Sequence, residues 1–425
     1  MNLPKSLRTG PAIVLGLVSA GFVACVGENA PLESSPDAST QPGEDASSAD
    51  AAQPVEDAST TDATQPTEDA AVDAPLTCEG GTVACATSCV DLQSDREHCG
   101  GCGHSCGGGV CDAGICQPFT VTEGLKQLHD VAFDAEYLYF TYDNVVQRCA
   151  KGSSCAGAER QTLADFSGQD DDGTGEIEVA DGRVAFIGGT NGTSKWYACP
   201  VAGCASLSSM RAARDGFDAL VAGGTTFHAL PRSSGLATTS CTQEGCSVGS
   251  TRVPYANVRT PLAASSDAVY YAARVDSAIV GLARCANGEA SCALGSTATL
   301  VTNVKTVQKL VATSTRLFFL WPGGPSGGSR IGHCPLAGCA DAGAPSRVRD
   351  SINDWHDLTA HEDTVVWLDE AGKLNSCTVD GCAAPRQLAD GLTQASGFVD
   401  DGRFVYWLEN AGVFTPTGRI RAVAR

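Results

Sequence analysis

Basic residues are scarce in this 425-residue chain, which has 28 Lys and Arg against 49 Asp and Glu and a formal net charge of −21. A nucleic-acid partner is not expected, because the binding of phosphates requires a basic surface. Long apolar runs are scarce as well, and the run at residues 12–23 is too short to span a bilayer. The chain has no Walker or dinucleotide-binding fingerprint, so it gives no indication of a nucleotide cofactor.

The first 24 residues are typical of a signal peptide. Lys5 and Arg8 form a charged start, and the apolar run 12–23 follows. Residues 22–25, at the end of this run and just after it, read FVAC. They resemble the bacterial lipobox, in which the Cys becomes the lipidated N-terminus. We therefore expect a signal peptide over 1–24 and a lipid on Cys25. The residue after Cys25 is not Asp, and the resemblance to the sorting of enteric lipoproteins then implies the outer membrane. Ordinary secretion with cleavage nearby is the alternative.

Residues 26–77 contain 12 acidic residues and no Lys, Arg or aromatic residue. The motif Gln-Pro-x-Glu-Asp-Ala recurs in this stretch with a period of 12, starting at Gln41, Gln53 and Gln65. Such a composition cannot bury enough apolar surface to offset the entropy lost on folding, and the like charges extend the chain. Residues 25–77 are therefore predicted to be a disordered acidic linker between a lipid anchor and the folded body.

Eight cysteines lie close together in residues 78–116. They are Cys78, Cys85, Cys89, Cys99, Cys102, Cys106, Cys111 and Cys116. So short a segment cannot form a hydrophobic core and needs cross-links, and an exported chain meets an oxidising compartment, so we expect disulfides. Zinc is the alternative, because Cys99 and Cys102 have ligand spacing and His98 and His104 are adjacent. Eight cysteines allow about a hundred pairings, and no connectivity is predicted.

The same segment shows a family resemblance. The strings CVDL (89–92) and HCGGC (98–102), followed by three further cysteines, resemble the stigma-specific (Stig1-type) module. Plant members of this family are secreted, and some are implicated in receptor and phospholipid binding. Versions of the module occur in secreted proteins of myxobacteria. The resemblance implies an exported bacterial protein with a small disulfide-rich module, and it carries over no binding residue.

Residues 117–425 contain seven repeats of one pattern. Each unit begins with an apolar residue, and eight positions later come a second residue and then usually an aromatic one. The leading residues are Val131, Ile177, Leu220, Leu262, Leu310, Leu358 and Phe398. Their mean spacing of about 44 residues is typical of a four-stranded propeller blade. The repeat predicts an all-β fold, a seven-bladed β-propeller, over residues 117–425.

Six of the seven units carry a cysteine pair around a short loop. The pairs are Cys149 with Cys155, Cys199 with Cys204, Cys241 with Cys246, Cys285 with Cys292, Cys334 with Cys339, and Cys377 with Cys382. Each pair is expected to form a disulfide in the hairpin between the third and fourth strands, which contributes about 2 kcal/mol. The last unit has no pair and only three strands. Residues 119–122, whose surroundings match segment 387–400, are expected to add its fourth strand and close the ring.

Polar residues at the entrance to several first strands form the candidate ligand-binding site. They are His129, Asp130, Glu176, Asp218, His356 and Asp357, with Trp355 beside the second His-Asp pair and Trp321 as a candidate stacking surface. The entrance of each first strand lines the central channel of a propeller, so these groups are expected to converge on a ligand or a substrate. The alternatives are ordinary polar edge residues and a packed Trp321.

The loop of residues 168–176 places oxygen-bearing side chains on alternate positions and has a glycine for the bend. Asp170, Asp172, Thr174 and Glu176 are candidate ligands of Ca²⁺. The alternative is a solvated acidic loop, and no other cofactor is expected.

The aromatic second strands, such as Leu138-Tyr139-Phe140, resemble the YWTD and NHL-like propeller families, particularly their exported bacterial versions. This resemblance implies a binding scaffold more often than an enzyme. The first hypothesis is therefore a non-catalytic cell-envelope lipoprotein that binds a protein or a glycan at its loop face, held at the outer membrane or secreted. The second is an exported polysaccharide lyase or hydrolase that uses the His-Asp pairs, and the third is a structural adhesion component.

Overall fold

A computed structural model describes the chain from residue 76 to residue 425. The residues inside this range that it does not describe are 153, 167–173, 189–194, 204–207, 210–216, 232–235, 243–244, 252–260, 275–279, 288–297, 305–306, 323–327, 340–345, 353–356 and 412–414. The expected signal peptide, Cys25 and all but the last residues of the acidic linker lie outside the described residues. In the described part, no helix is long and apolar enough to cross a membrane.

The cysteine-rich module consists of two short hairpins. Its strands are β1 (Val83–Cys85), β2 (Ser88–Val90), β3 (Cys111–Asp112) and β4 (Ile115–Cys116). Four disulfides join Cys78 to Cys89, Cys85 to Cys102, Cys99 to Cys111 and Cys106 to Cys116. All eight cysteines are therefore paired with one another, as the disulfide hypothesis expected, and none is left for the zinc alternative.

The rest of the described chain is β-structure, apart from one short 3₁₀ helix, Gly157–Glu159. Strand β5 (Phe119–Leu125) follows the module. Blade 1 contains β6 (Leu128–Phe133), β7 (Tyr137–Tyr142), β8 (Val145–Ala150) and β9 (Gln161–Asp165). Blade 2 contains β10 (Thr174–Ala180), β11 (Arg183–Gly188), β12 (Lys195–Pro200) and β13 (Ser208–Ser209). Blade 3 contains β14 (Phe217–Gly223), β15 (Thr226–Pro231), β16 (Leu236–Thr242) and β17 (Gly245–Thr251).

The remaining sheets follow the same order. Blade 4 contains β18 (Leu262–Ala264), β19 (Ala268–Arg274), β20 (Val280–Ala286) and β21 (Ala298–Val304). Blade 5 contains β22 (Lys309–Ala312), β23 (Arg316–Pro322), β24 (Ser329–Pro335) and β25 (Ser346–Ile352). Blade 6 contains β26 (Leu358–His361), β27 (Thr364–Leu368), β28 (Leu374–Thr378) and β29 (Arg386–Ala389). Blade 7 contains β30 (Ala395–Asp400), β31 (Phe404–Glu409), β32 (Gly418–Ala424) and, beside β32, strand β5.

The blades form a ring around their first strands. Each first strand contacts the first strand of the next blade, and β30 contacts β6, so the ring closes into a propeller. The leading residues of all seven repeats are buried in this ring. The described chain thus contains seven four-stranded antiparallel sheets, the number that the repeat predicts.

The second strands show why these sequences form blades. In β31 every residue is buried, and Leu138, Tyr139 and Phe140 of β7 are fully buried. A strand that is apolar on both faces must be covered on both faces, and neighbouring blades provide this cover. Asp181 and Gly182 form the tight turn between β10 and β11. Both adopt positive φ angles, as a two-residue hairpin turn requires.

The blade disulfides follow the predicted pattern where the structure describes them. The pairs Cys149–Cys155, Cys334–Cys339 and Cys377–Cys382 are formed. Cys199 and Cys285 are also disulfide-bonded, while their predicted partners, Cys204 and Cys292, lie outside the described residues. The backbones of Cys241 and Cys246 face each other in register across their hairpin.

Removing the blade 6 disulfide with Cys377→Ala and Cys382→Ala is expected to lower the free energy of unfolding by about 2 kcal/mol, because the open loop gives the unfolded chain more freedom. Urea denaturation of the full chain measures the change. Thr378→Ala, at an exposed neighbouring position, serves as the control and should change the free energy little. An unchanged stability in the double variant would show that this cross-link does not restrict the unfolded chain.

Candidate functional site

The first strands of the seven blades surround a central channel with a volume of about 780 Å³. Among the described side chains, two parts of its wall differ in chemistry. Blades 3 and 4 contribute small or apolar residues, such as Ala219, Val221, Leu262 and Ala263. Charged residues come from blades 1, 2, 5 and 7, and Asp357 lies at the start of blade 6. The channel therefore has an apolar wall and a charged wall.

Four of the charged groups occupy one repeat position. Each stands immediately before the leading apolar residue of its blade. They are Asp130 in blade 1, Glu176 in blade 2, Lys309 in blade 5 and Asp357 in blade 6. We call these four residues the channel ring.

The two acids of blades 1 and 2 join their own blade to the next one. The carboxylate of Asp130 accepts a hydrogen bond from the backbone N–H of Val131 at 2.9 Å and another from that of Ile177, in blade 2, at 3.0 Å. The carboxylate of Glu176 accepts the N–H of Leu220, in blade 3, at 2.5 Å. These hydrogen bonds satisfy backbone donors at the inner edges of the blades, where an unpaired N–H would destabilise the fold.

Asp357 makes the same connection more extensively. Its Oδ1 accepts the N–H of Leu358 at 3.0 Å, and its Oδ2 accepts those of Gly397 and Phe398, in blade 7, at 2.8 and 3.2 Å. The ammonium of Lys309 lies 2.8 Å from Oδ1. Asp357 therefore links three successive blades, 5, 6 and 7, through both carboxylate oxygens.

The surroundings set the charge states of this pair. Burial acts to raise the pKa of Asp357, but Lys309 and the backbone donors outweigh it and hold the pKa below its ordinary value. Burial acts to lower the pKa of Lys309, but Asp357, Asp130 and Glu176 together raise it above its ordinary value. Both groups are therefore charged at neutral pH.

Two acids on the other side of the channel are in the opposite situation. Burial raises the pKa of Asp130 to about 6, although the N–H groups of Ile177 and Val131 oppose the shift. Glu178, which also lines the channel, has a pKa raised well above its ordinary value by burial and by the charges of Asp130 and Glu176. Both shifts oppose ionisation of these two acids, so a positive charge placed beside them would lower both pKa values.

Several predicted site residues lie outside this description. Asp170, Asp172, Trp355 and His356 are not among the described residues, and the side chains of Thr174 and Asp218 are not described either. His129 is exposed and lines the channel next to Asp130. Of the proposed Ca²⁺ ligands, only the Glu176 carboxylate is described, and it holds the N–H of Leu220.

Trp321 is not available as a stacking surface. Its side chain is buried, and its ring centroid lies 5.1 Å from that of Phe319 in the core. A Cβ atom on Gly332 of the neighbouring strand would come within 2.7 Å of the indole ring, so the tryptophan fills space that glycine leaves open. Trp321 is therefore packed in the core, which was the alternative to a stacking surface.

Sequence reasoning missed Lys309 and Glu178. Lys309 has a detectable signal, because it occupies the same repeat position as Asp130 and Asp357 but carries the opposite charge. Glu178 has no such signal, since its importance depends on acids that come together only in the folded ring. Among the described side chains, the one group of three with metal-ligand spacing is Cys99, Cys106 and Cys116, and these residues are in disulfides.

The contribution of Asp130 to stability is expected to fall as pH rises from about 4 to about 7, by about 2 kcal/mol. The folded carboxyl has a pKa of about 6, whereas the unfolded one titrates near 4, so the folded state binds more protons in this range. Stability present at low pH is therefore lost as pH passes through the folded pKa. Urea denaturation at several pH values should show this change in the difference between wild type and Asp130→Asn. A difference that stays constant with pH would contradict the assignment.

No family model matches the chain, and none of the curated proteins matches it either. Solved structures are similar in fold. A chain from the mitotic checkpoint complex has a TM-score of 0.50 and 10% identity, with 73% of this chain and 95% of that chain covered. Virginiamycin B lyase from Staphylococcus aureus has a TM-score of 0.48 and 10% identity, with 73% and 99% covered. The WD40 domain of Pan2 from Neurospora crassa has a TM-score of 0.46 and 10% identity, with 71% and 90% covered.

The match to the mitotic checkpoint complex chain shows the β-propeller fold and, at 10% identity, nothing beyond the fold. Binding scaffolds and enzymes share this fold, so it does not choose between them. The many disulfides indicate an extracellular or otherwise oxidising compartment. The chain is thus a disulfide-rich β-propeller protein.

Proposed function

We propose that this protein is an exported, non-catalytic binding protein that holds its ligand at the channel of its propeller. The observation that carries the proposal is the use of Asp130 and Asp357. Both carboxylates are occupied by backbone N–H groups of two adjacent blades, and Asp357 also holds Lys309. An acid or base catalyst needs an oxygen directed at its substrate. These two residues, which the lyase or hydrolase hypothesis required, act instead as structural links.

The chemistry of the channel favours a ligand with a positive charge. Four carboxylates, those of Asp130, Glu176, Glu178 and Asp357, stand against the ammonium of Lys309. An incoming ammonium or guanidinium group would stabilise the ionised form of Asp130 and Glu178, whose pKa values are raised. The apolar wall of blades 3 and 4 suits the aliphatic stem of such a group. We therefore propose a protein ligand that inserts a Lys or Arg side chain, in preference to a glycan.

Export and anchoring are further parts of the proposal. A signal peptide over 1–24, a lipid on Cys25 and a location at the outer membrane remain proposals, as do the resemblances to the Stig1-type module and to the YWTD and NHL-like propellers. The oxidised cysteines support export. Replacing Cys25 by Ser should move the protein from the membrane fraction to the soluble fraction and remove the lipid mass from its N-terminus. Retention in the membrane fraction would contradict the anchor.

The experiment uses the full mature chain made soluble by Cys25→Ser. Its affinity for a Lys-rich peptide is compared with its affinity for the same peptide after acetylation of the lysines, by calorimetry. We expect at least tenfold weaker binding of the acetylated peptide, and a similar loss for Glu178→Gln with the unmodified peptide. Glu178 suits this test because its carboxylate makes no hydrogen bond with any described residue. Equal binding of both peptides would overturn the proposed ligand class.

A second measurement addresses the other hypotheses. The same protein is incubated with envelope polysaccharide, and new reducing or unsaturated ends are assayed. Turnover by wild type that Asp357→Asn abolishes would support the enzyme and overturn the non-catalytic assignment. Neither turnover nor peptide binding would leave the structural adhesion component as the remaining candidate.

A further inference from the structure

Blade 7 has a seam between its third and fourth strands. In the other six blades these two strands are consecutive in the chain, whereas in blade 7 they are β32 and β5, the last and the first strands of the propeller. The two strands pair through their backbones, with Ile420 opposite Thr122 and Ala422 opposite Phe119. The cysteine pair found at this place in the other repeats is missing here. The seam therefore has neither a hairpin loop nor a disulfide to hold it.

The cysteine-rich module lies at the end of this seam. It directly precedes β5 in the chain, and it belongs to the same compact unit as the propeller. The ring of His104 connects the module to the strand on the other side of the seam. Its Nδ1 is 2.6 Å from the carbonyl oxygen of Cys99, and its Nε2 is 2.9 Å from the main-chain oxygen of Arg425, the residue after β32. One module side chain thus contacts the end of the opposite strand.

Two glycines of the module pack on aromatic rings of blade 7. Phe119 of β5 and Phe404 of β31 meet edge to face with centroids 6.1 Å apart. A Cβ on Gly107 would lie 2.6 Å from the Phe404 ring, and a Cβ on Gly108 would lie 2.5 Å from the Phe119 ring. A larger residue at either position would push a ring out of place, so the close approach depends on glycine.

The module and blade 7 also share a hydrophobic core. Cys99, Cys106 and Cys116 are buried, and they belong to one cluster with residues of β5 and of β30 to β32, including Val121 and Phe404. The side chain of Arg421 in β32 adds a bond across the junction, because it donates to the carbonyl oxygen of Pro118 at 3.1 Å. The module and blade 7 therefore share one hydrophobic core, and the module is not a separately folded domain.

We infer that the cysteine-rich module is the clasp of the propeller: it binds blade 7 across the seam and replaces the disulfide-closed hairpin of the other blades. The partner of its inner face is the chain's own β5 and β32. This role is independent of the proposed ligand binding at the channel.

Hydrogen exchange measured by mass spectrometry on the full chain tests the clasp. Gly108→Val should displace the Phe119 ring and speed exchange in β5 and β32 at least tenfold, while β27 of blade 6 keeps its wild-type rate. Gly101→Val is the matched control, because a Cβ at Gly101 meets nothing within 4 Å. Equal protection of β5 and β32 in Gly108→Val and wild type would overturn the inference, as would a uniform increase over all blades.

A second variant tests the same inference in case Gly108→Val does not fold. His104→Ala removes the contact with Arg425 without adding bulk, so we expect a smaller increase in exchange, again confined to β5 and β32. If Gly108→Val does not fold, this variant decides alone. Unchanged exchange in His104→Ala would then overturn the clasp.

Discussion

Replacing Asp357 by Ala is expected to lower the free energy of unfolding by about 3 kcal/mol. The substitution removes the acceptor for three backbone N–H groups, those of Leu358, Gly397 and Phe398. It also leaves the ammonium of Lys309 without its partner. Because 40% of the Lys309 side chain is accessible to solvent, its charge stays partly solvated after the substitution. Most of the loss in stability should therefore come from the unpaired N–H groups.

A matched control separates this position from an ordinary ion pair. Asp363 and Arg316 also join blades 5 and 6, but the Asp363 side chain is 55% exposed, and exposed pairs contribute about 0–1 kcal/mol. Urea denaturation of Asp357→Ala and Asp363→Ala should therefore show a large and a small effect. A double variant with Lys309→Met should recover part of the loss, because it removes the unpaired charge. Similar effects of the two Asp variants would contradict the structural role of the channel ring.

The repeat could be predicted from the sequence because the same contact between the first and second strands recurs in every blade. Each first strand needs an apolar residue at one point, and its cross-strand partner lies nine positions further on, as Val131 and Phe140 show. The position of β5 in blade 7 was also readable, because residues 119–122 repeat the sequence context of a fourth strand. Local periodicity is sufficient when the same contacts recur along the chain.

The roles of the channel residues were not readable in the same way. The carboxylate of Asp130 binds the N–H of Ile177, 47 residues away, and no local pattern reports that contact. A polar residue at a strand entrance serves equally as a ligand group or as an acceptor for the next blade, and only the neighbouring blade decides between them. The disulfide pairing in the module was unreadable for the same reason, since the crossed pairs Cys85–Cys102 and Cys99–Cys111 depend on its three-dimensional path.

Replacing Trp407 by Ala is expected to lower the free energy of unfolding by about 4 kcal/mol, because the indole leaves a cavity in the core. Trp407 is fully buried in β31 of blade 7 and stacks on Phe398 with centroids 6.2 Å apart. Its Nε1 donates to Glu409 at 3.1 Å. Trp407→Phe keeps much of the volume and should lose clearly less. Chemical denaturation followed by far-UV circular dichroism measures both variants without relying on tryptophan fluorescence.

The matched residue in blade 6 connects this prediction to the seam. Trp367 occupies the equivalent place in β27 and is also buried, so Trp367→Ala should cause a similar loss at equilibrium. The unfolding rates should differ. If blade 7 separates first because no covalent link joins β5 to β32, the contacts of Trp407 are already lost in the transition state. Trp407→Ala would then speed unfolding about a hundredfold or more, whereas Trp367→Ala would mainly slow refolding. Equal unfolding rates for the two variants would mean that the ring does not open at its seam.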